Sequence, residues 1–341
     1  MIKSRKSLRI LLLCHRDLVP PEDEASATKD VLEETETERD VLKALKALGH
    51  KVEVVGLYDE LTPLRKAVRT FRPHLAFNLL EEFYDEAIYD YNIVAYLELL
   101  RVPYTGCNPR GMVLGRDKAL SKKVLSYHRV KVPKFGVLRR GRKIHRAAGL
   151  EFPLIVKSLT EDASLGISEA SVVSSDDKFK ERVEFIHRRV QTPAIVEQFI
   201  KGREVYVTVL GHSRLQVLPP WELCFKGLRE EAPKIATRRA KWDKAYKERR
   251  GLHLKAAEGL IGPQLEHLVR LSKRIYRSLN LSGYARIDFR IQEDGTPYFL
   301  EANPNPDISS DAESASAARS VGVSYEDLIQ RIVRLGVRSL N

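Results

Sequence analysis

"YARIDFRIQEDGTPYFLEANPNP", residues 284–306, decides how the rest of the 341-residue chain is read. Two runs rich in strand formers flank Asp-Gly, the strongest short-range hairpin signal, because both turn residues need positive φ. A two-residue loop at Asp294 and Gly295 sets Asp288 opposite Glu301 and Arg286 opposite Asn303. Side chains alternate along a strand, so these four share one face, while Ile287, Phe289, Ile291, Tyr298, Leu300 and Ala302 take the core face. A polar sheet face is most often only solvated. Like charges directly opposite are destabilising, however, and a cation is the obvious remedy. Two carboxylates and an amide oxygen are hard ligands that suit Mg²⁺ and its phosphate partners.

Outward from the hairpin, the composition is that of an ordinary soluble protein long enough for two or three domains. The early apolar run "ILLLC" is too short to span a membrane and reads as a buried strand, so a cytoplasmic protein is expected. Cys14, Cys107 and Cys224 are odd in number and far apart, which supports neither a disulfide framework nor a zinc site. The formal net charge of +12 invites a nucleic-acid reading, but no helix-turn-helix, aromatic RNA-binding or zinc-finger pattern accompanies it. Residues 226–255 hold eleven Lys or Arg, either a solvated surface or a mobile cover that brings positive charge to an anion.

The first hundred residues alternate strands and helices, implying an open, largely parallel α/β domain whose ligands lie beyond the carboxyl ends of the strands. The acidic "LLEEFYDE" after the third strand, with Glu81 and Glu82, is therefore placed to meet substrate. Further on, Lys157 ends the apolar strand "PLIVK", and Ser164 and Gly166 sit in a small-residue loop suited to close approach of backbone N–H groups to phosphate. No G-x-x-x-x-G-K-[ST] occurs, which argues against a P-loop. "VEQFIKGREVYV" carries Glu197 and Glu204, seven residues apart on successive strands.

In order, Lys118 in "RDKALSKK", Lys157, the loop "TEDASLGIS", Glu197 and Glu204, Arg286 and Asp288 in "ARIDF", and Glu301 and Asn303 in "FLEANPNP" resemble the ATP-grasp superfamily. The D-alanine:D-alanine ligases are the nearest likeness, through "PYTG" at Pro103 to Gly106 and "AARSVGVSYEDLI" near the end. The resemblance implies an ATP-grasp fold, α+β in its ATP-binding part, behind the N-terminal parallel α/β domain. Its expected boundaries are 1–104 for that domain, 105–200 for the central subdomain, and 201–341 for the C-terminal subdomain with the metal site and the mobile basic loop. It implies that Lys118, Lys157, Ser164 and Gly166 meet the ATP phosphates, that Glu197 and the backbone at Phe199 and Ile200 frame adenine, and that Glu204 holds the ribose. Asp288, Glu301 and Asn303 would hold two Mg²⁺ ions, with Mn²⁺ as an alternative. Arg286 would stabilise charge at the reacting carboxyl, and Lys241 in the basic run would contact the γ-phosphate.

The departures from the ligase pattern lie on the substrate side. Trp242 stands where a tyrosine is usual, Ala163 and Ser164 replace two serines, Asp307 occupies a glycine position, Ala312 and Glu313 replace a Ser-Leu pair, and "NLLEEFYDE" replaces a His-Gly segment. The expectation is an ATP-dependent carboxylate–amine ligase acting through an acyl phosphate on small amino-acid or peptide-like substrates other than two D-alanines. An acceptor with a cationic group is favoured by Glu81, Glu82, Asp307 and Glu313. The alternatives are a genuine D-alanine:D-alanine ligase, and a nucleotide- or nucleic-acid-binding protein without ligase activity. No membrane partner is expected, and a homodimer is compatible with the pattern.

Overall fold

The computed structural model describes residues 7–161, 167–225 and 252–340. The chain opens on β1 (Arg9–His15), β2 (Lys51–Leu57) and β3 (Leu75–Asn78), which form a parallel sheet in the order β2-β1-β3. Ile10 to Cys14 are wholly buried, as befits a central parallel strand covered on both faces. One cover is the helix Glu36–Ala47, which turns Val41, Ala44 and Leu45 inward. Another comes from the far end of the chain. Ser324 caps the helix Tyr325–Gly336, which packs on both Glu36–Ala47 and β3.

β4 (Phe135–Leu138), β5 (Leu154–Ser158), β6 (Val172–Val173) and β7 (Ala194–Gln198) make an antiparallel sheet in the order β4-β7-β5-β6. After β6 an α-helix runs over Asp176–Phe185 and then widens into a π-turn over Ile186–Val190. A third, antiparallel sheet runs β11-β10-β8-β12-β13, with β9 beside β8. Its strands are β8 (Arg203–Gly211), β9 (Leu215–Val217), β10 (Trp221–Phe225), β11 (Leu252–Ala256), β12 (Gly283–Ile291) and β13 (Pro297–Asn303).

The hairpin β12–β13 differs from the expectation in two ways that cancel. Gln292 N–H donates to the Thr296 carbonyl at 3.0 Å and Gly295 N–H to the Gln292 carbonyl at 2.9 Å, so the loop is three residues long, 293–295. Gly295 takes its last position at φ +81°, where a side chain would be strained. This turn alone would move every pair by one residue. A β-bulge between Asp288 and Phe289 restores the register: Phe289 faces Phe299, Asp288 faces Glu301, and Leu300 has no Cα partner. The polar pairing therefore stands, but the core face of β13 is corrected. Pro297, Phe299 and Ala302 are buried, whereas Tyr298 and Leu300 are half-buried, because the bulge reverses alternation partway along the strand.

Candidate active site

The polar face of β12 is continuous with that of β8. Register places Arg286 beside Thr208, Asp288 beside Tyr206 and Arg290 beside Glu204. Arg286 grips Asp288 with two hydrogen bonds, Nε to Oδ1 at 2.8 Å and Nη2 to Oδ2 at 3.0 Å, and extends Nη1 to Glu313 at 3.4 Å. Its guanidinium also lies over the Tyr206 ring, 4.9 Å from the centroid. Burial works to lower Arg286, but Asp288 and Glu313 hold it well above its usual range, so it stays charged. Glu301, opposite Asp288, lies 3.5 Å from Lys118 Nζ. The repulsion between the two carboxylates is thus partly offset by the protein's own cations. Asn303 Oδ1 accepts from Asn305 N–H at 2.9 Å. Three hard oxygen donors on adjacent strands, with one of the carboxylates only partly buried, fit a divalent cation.

Asp117 caps the helix Lys118–Tyr127 by accepting from Ala119 and Leu120 N–H, and the helix lies against β13. Lys118 and Lys122, four apart, share one face of it. Lys118 donates to the Glu161 carbonyl at 2.7 Å. Lys122, which the sequence reading missed, is fully buried, 2.8 Å from Glu197 Oε1, and donates to the Leu300 carbonyl. The other Glu197 oxygen accepts from Lys157 at 3.0 Å. Burial alone would raise the Glu197 carboxyl, yet Lys122 and Lys157 carry it below the ordinary range. A carboxylate has about four acceptor positions, so two ammonium groups leave room for a further donor. Glu204 is likewise occupied, by Arg290 at 2.8 Å and the Tyr206 hydroxyl at 3.0 Å. Phe199 donates its N–H to the Pro153 carbonyl at 3.0 Å, and Ile200 is buried beside it. Ala163, Ser164, Gly166, Lys241 and Trp242 lie outside the described residues.

The acidic residues fall into two groups. Tyr284 donates to Asn305 Oδ1 at 3.0 Å, Asn305 Nδ2 reaches the Leu80 carbonyl at 3.5 Å, and the charge of Glu81 acts on Tyr284. Asp307 accepts from the Thr37 hydroxyl at 3.0 Å and from Ser309 N–H at 2.8 Å. Burial, helped by Glu313, pushes Asp307 up. Glu82 departs from this group. It lies 3.8 Å from His15 Nε2, and with Asp85 these side chains bring ligand atoms within 4.8 Å of one another. His15 Nδ1 accepts from Asp17 N–H at 3.3 Å, which leaves the proton on Nε2 in the neutral ring and argues against a metal there.

Glu38 is a second residue the sequence reading missed. It sits on the apolar stripe of Glu36–Ala47, 4% exposed, and burial with Asp307 pushes its pKa up from 4.5 to about 7. An acid raised in the folded state contributes stability below its unfolded pKa and loses that contribution as pH rises through the folded value. Glu38→Gln is therefore expected to raise the thermal midpoint at pH 8 and to leave it nearly unchanged at pH 4. Equal effects at both pH values would show that Glu38 does not titrate in this window.

The description "D-ala D-ala ligase C-terminus" belongs to the family model that matches residues 124–334. Over 265 residues the chain is 33% identical to the uncharacterized protein y4sG of Sinorhizobium fredii, covering 77% of this chain and 75% of that one. Over 288 residues it is 28% identical to a D-alanine–D-alanine ligase of Pelotomaculum thermopropionicum, covering 80% and 83%. Its fold is similar to that of the Bacillus anthracis D-alanine–D-alanine ligase complexed with ATP, with a TM-score of 0.74 at 20% identity over 97% of this chain and 98% of that one. With Lys157 and Glu197 on one antiparallel sheet, Glu204, Arg286, Asp288 and Glu301 on the other and Lys118 on the helix against β13, the chain belongs to the D-alanine–D-alanine ligase family: it has the ATP-grasp fold and is an ATP-dependent ligase that forms C–N bonds.

Proposed function

We propose that the protein, working in the cytoplasm, activates a small carboxylate with the γ-phosphate of ATP and joins it to an amine whose other end carries a cationic group. The observation that carries the second half is a chain of acids that starts at Arg286: Asp288 and Glu313 both pair with this guanidinium, the charge of Glu313 acts on buried Asp307, and that of Asp307 acts on buried Glu38. Among the described residues acids outnumber cations beside Arg286, and a bound ammonium would also draw Asp307 and Glu38, which burial pushes toward their neutral forms, back to the charged form. An acceptor that presents a carboxylate there is disfavoured, and one that presents an ammonium is favoured.

Asp288, Glu301 and Asn303 are the proposed holders of two Mg²⁺ ions, with Mn²⁺ as a substitute. Such ions, when bound, offset charge on the phosphates. Lys118 and Lys157 stand on the flanks of that face to meet phosphate oxygens, with Ser164, Gly166 and Lys241 as further contacts. Glu197, Phe199 and Ile200 are proposed at adenine and Glu204 at ribose, with Trp242 proposed for the substrate side. Arg286 is the proposed stabiliser of charge on the acyl phosphate, through preorganised donors rather than proton transfer. We keep the division near residues 104 and 200 as part of this reading.

The names of the relatives favour two D-alanines instead, and one assay separates the readings. ADP release is measured over a panel of amino acids, including diamino acids, supplied singly and in pairs. Turnover that requires a diamino or similarly cationic acceptor supports the proposal. Robust turnover with D-alanine alone overturns it, and no ADP or phosphate with any pair would favour a nucleotide-binding protein without ligase activity.

A further inference from the structure

We propose that Lys122 is a positioning residue for the metal ligands: it holds the bulge at Leu300 and so fixes the register that sets Glu301 opposite Asp288. The inference rests on the metal reading above.

The register is the starting point. From the turn to Phe299 the pairing runs Ile291 with Pro297, Arg290 with Tyr298 and Phe289 with Phe299. Continued without interruption, it would set Asp288 against Leu300 and Ile287 against Glu301. Because side chains alternate, Glu301 would then point into the core with Ile287, which is fully buried. One extra residue prevents this, and that residue is Leu300.

A bulged residue leaves its strand without ladder support, so the bend must be held from elsewhere. Lys122 Nζ donates to the Leu300 carbonyl and lies 5.5 Å from the centroid of the Phe299 ring. Phe299 N–H donates to the Lys131 carbonyl at 2.9 Å, so the segment that begins with the Lys118–Tyr127 helix grips both residues at the bend. A buried ammonium is costly unless paired. Glu197 at 2.8 Å supplies the pairing charge, so one buried ammonium meets an acid, a carbonyl and a ring face together. The same ammonium thereby links Glu197 to the strand that carries Glu301 and Asn303.

The test is Mn²⁺ binding, followed by electron paramagnetic resonance on the full-length protein saturated with a non-hydrolysable ATP analogue, for the wild type, Lys122→Met and Glu301→Gln. Loss of an outer-shell partner typically weakens metal binding about 10- to 100-fold, and Lys122→Met is expected in that range. Circular dichroism confirms that each variant is folded. If Lys122→Met does not fold, Lys122→Gln, which keeps one donor, is expected to weaken Mn²⁺ binding by an intermediate factor. Wild-type affinity in whichever Lys122 variant folds, beside lost affinity in Glu301→Gln, overturns the positioning role and leaves the metal reading standing. Wild-type affinity in Glu301→Gln overturns the metal reading itself.

Discussion

Glu301→Gln is expected to lower ADP formation at least about a thousandfold, since a metal that stabilises transferring phosphate contributes several kcal/mol. The substitution removes a charge and almost no volume. Its side chain is one-quarter exposed and Lys118, 3.5 Å away, also donates to the Glu161 carbonyl, so little folding free energy is at stake. The expected signature is a thermal midpoint close to that of the wild type beside a collapse in turnover. Full activity in the folded variant would refute the assignment of Glu301 to the metal.

Arg286→Met should damage both stability and turnover. The guanidinium supplies both oxygens of buried Asp288 and one of Glu313, and removing one partner of a buried ion pair typically costs about 3–5 kcal/mol. Methionine fills the volume but takes the guanidinium away from both carboxylates. Loss of a preorganised donor at developing charge is also expected to lower kcat by about a hundred- to a thousandfold. Thermal denaturation and steady-state kinetics check the two effects separately. A midpoint equal to the wild type would mean that Asp288 finds another partner, and retained kcat would remove Arg286 from the chemistry. The contrast with Glu301→Gln is diagnostic, because only the arginine acts in both folding and reaction.

Much of the site was legible because the chemistry-bearing residues lie on strands with strong local signals. The Asp-Gly hairpin brought Asp288 to Glu301 and Arg286 to Asn303 without reference to any relative. The route was nevertheless inexact. A three-residue loop and a one-residue bulge each moved the register, in opposite senses, and only their sum agreed with the expectation. Lys122 was within reach, since four residues separate it from Lys118 on a helix, and Glu38 broke the apolar stripe of its helix three residues before Val41. Neither stood out in a linear reading, because a lysine or glutamate on a helix is usually a solvated surface group.

By itself, the amino-acid order determined most of the elements and the polar face of the hairpin, because alternation and turn residues act within a few residues of one another, and its motifs carried the family resemblance that implied ATP-dependent chemistry. What the tertiary structure decided is which charges neutralise which. Glu197 is shared by Lys122 and Lys157, Asp288 and Glu313 share Arg286, and Thr37, early in the sequence, meets Asp307, late in it. Apart from Arg286 with Asp288, two positions away, these contacts join residues tens to hundreds of positions apart. Whether a buried acid is paired, raised in pKa or open to a ligand depends on the low-dielectric neighbourhood that packing creates, and no local pattern encodes that neighbourhood.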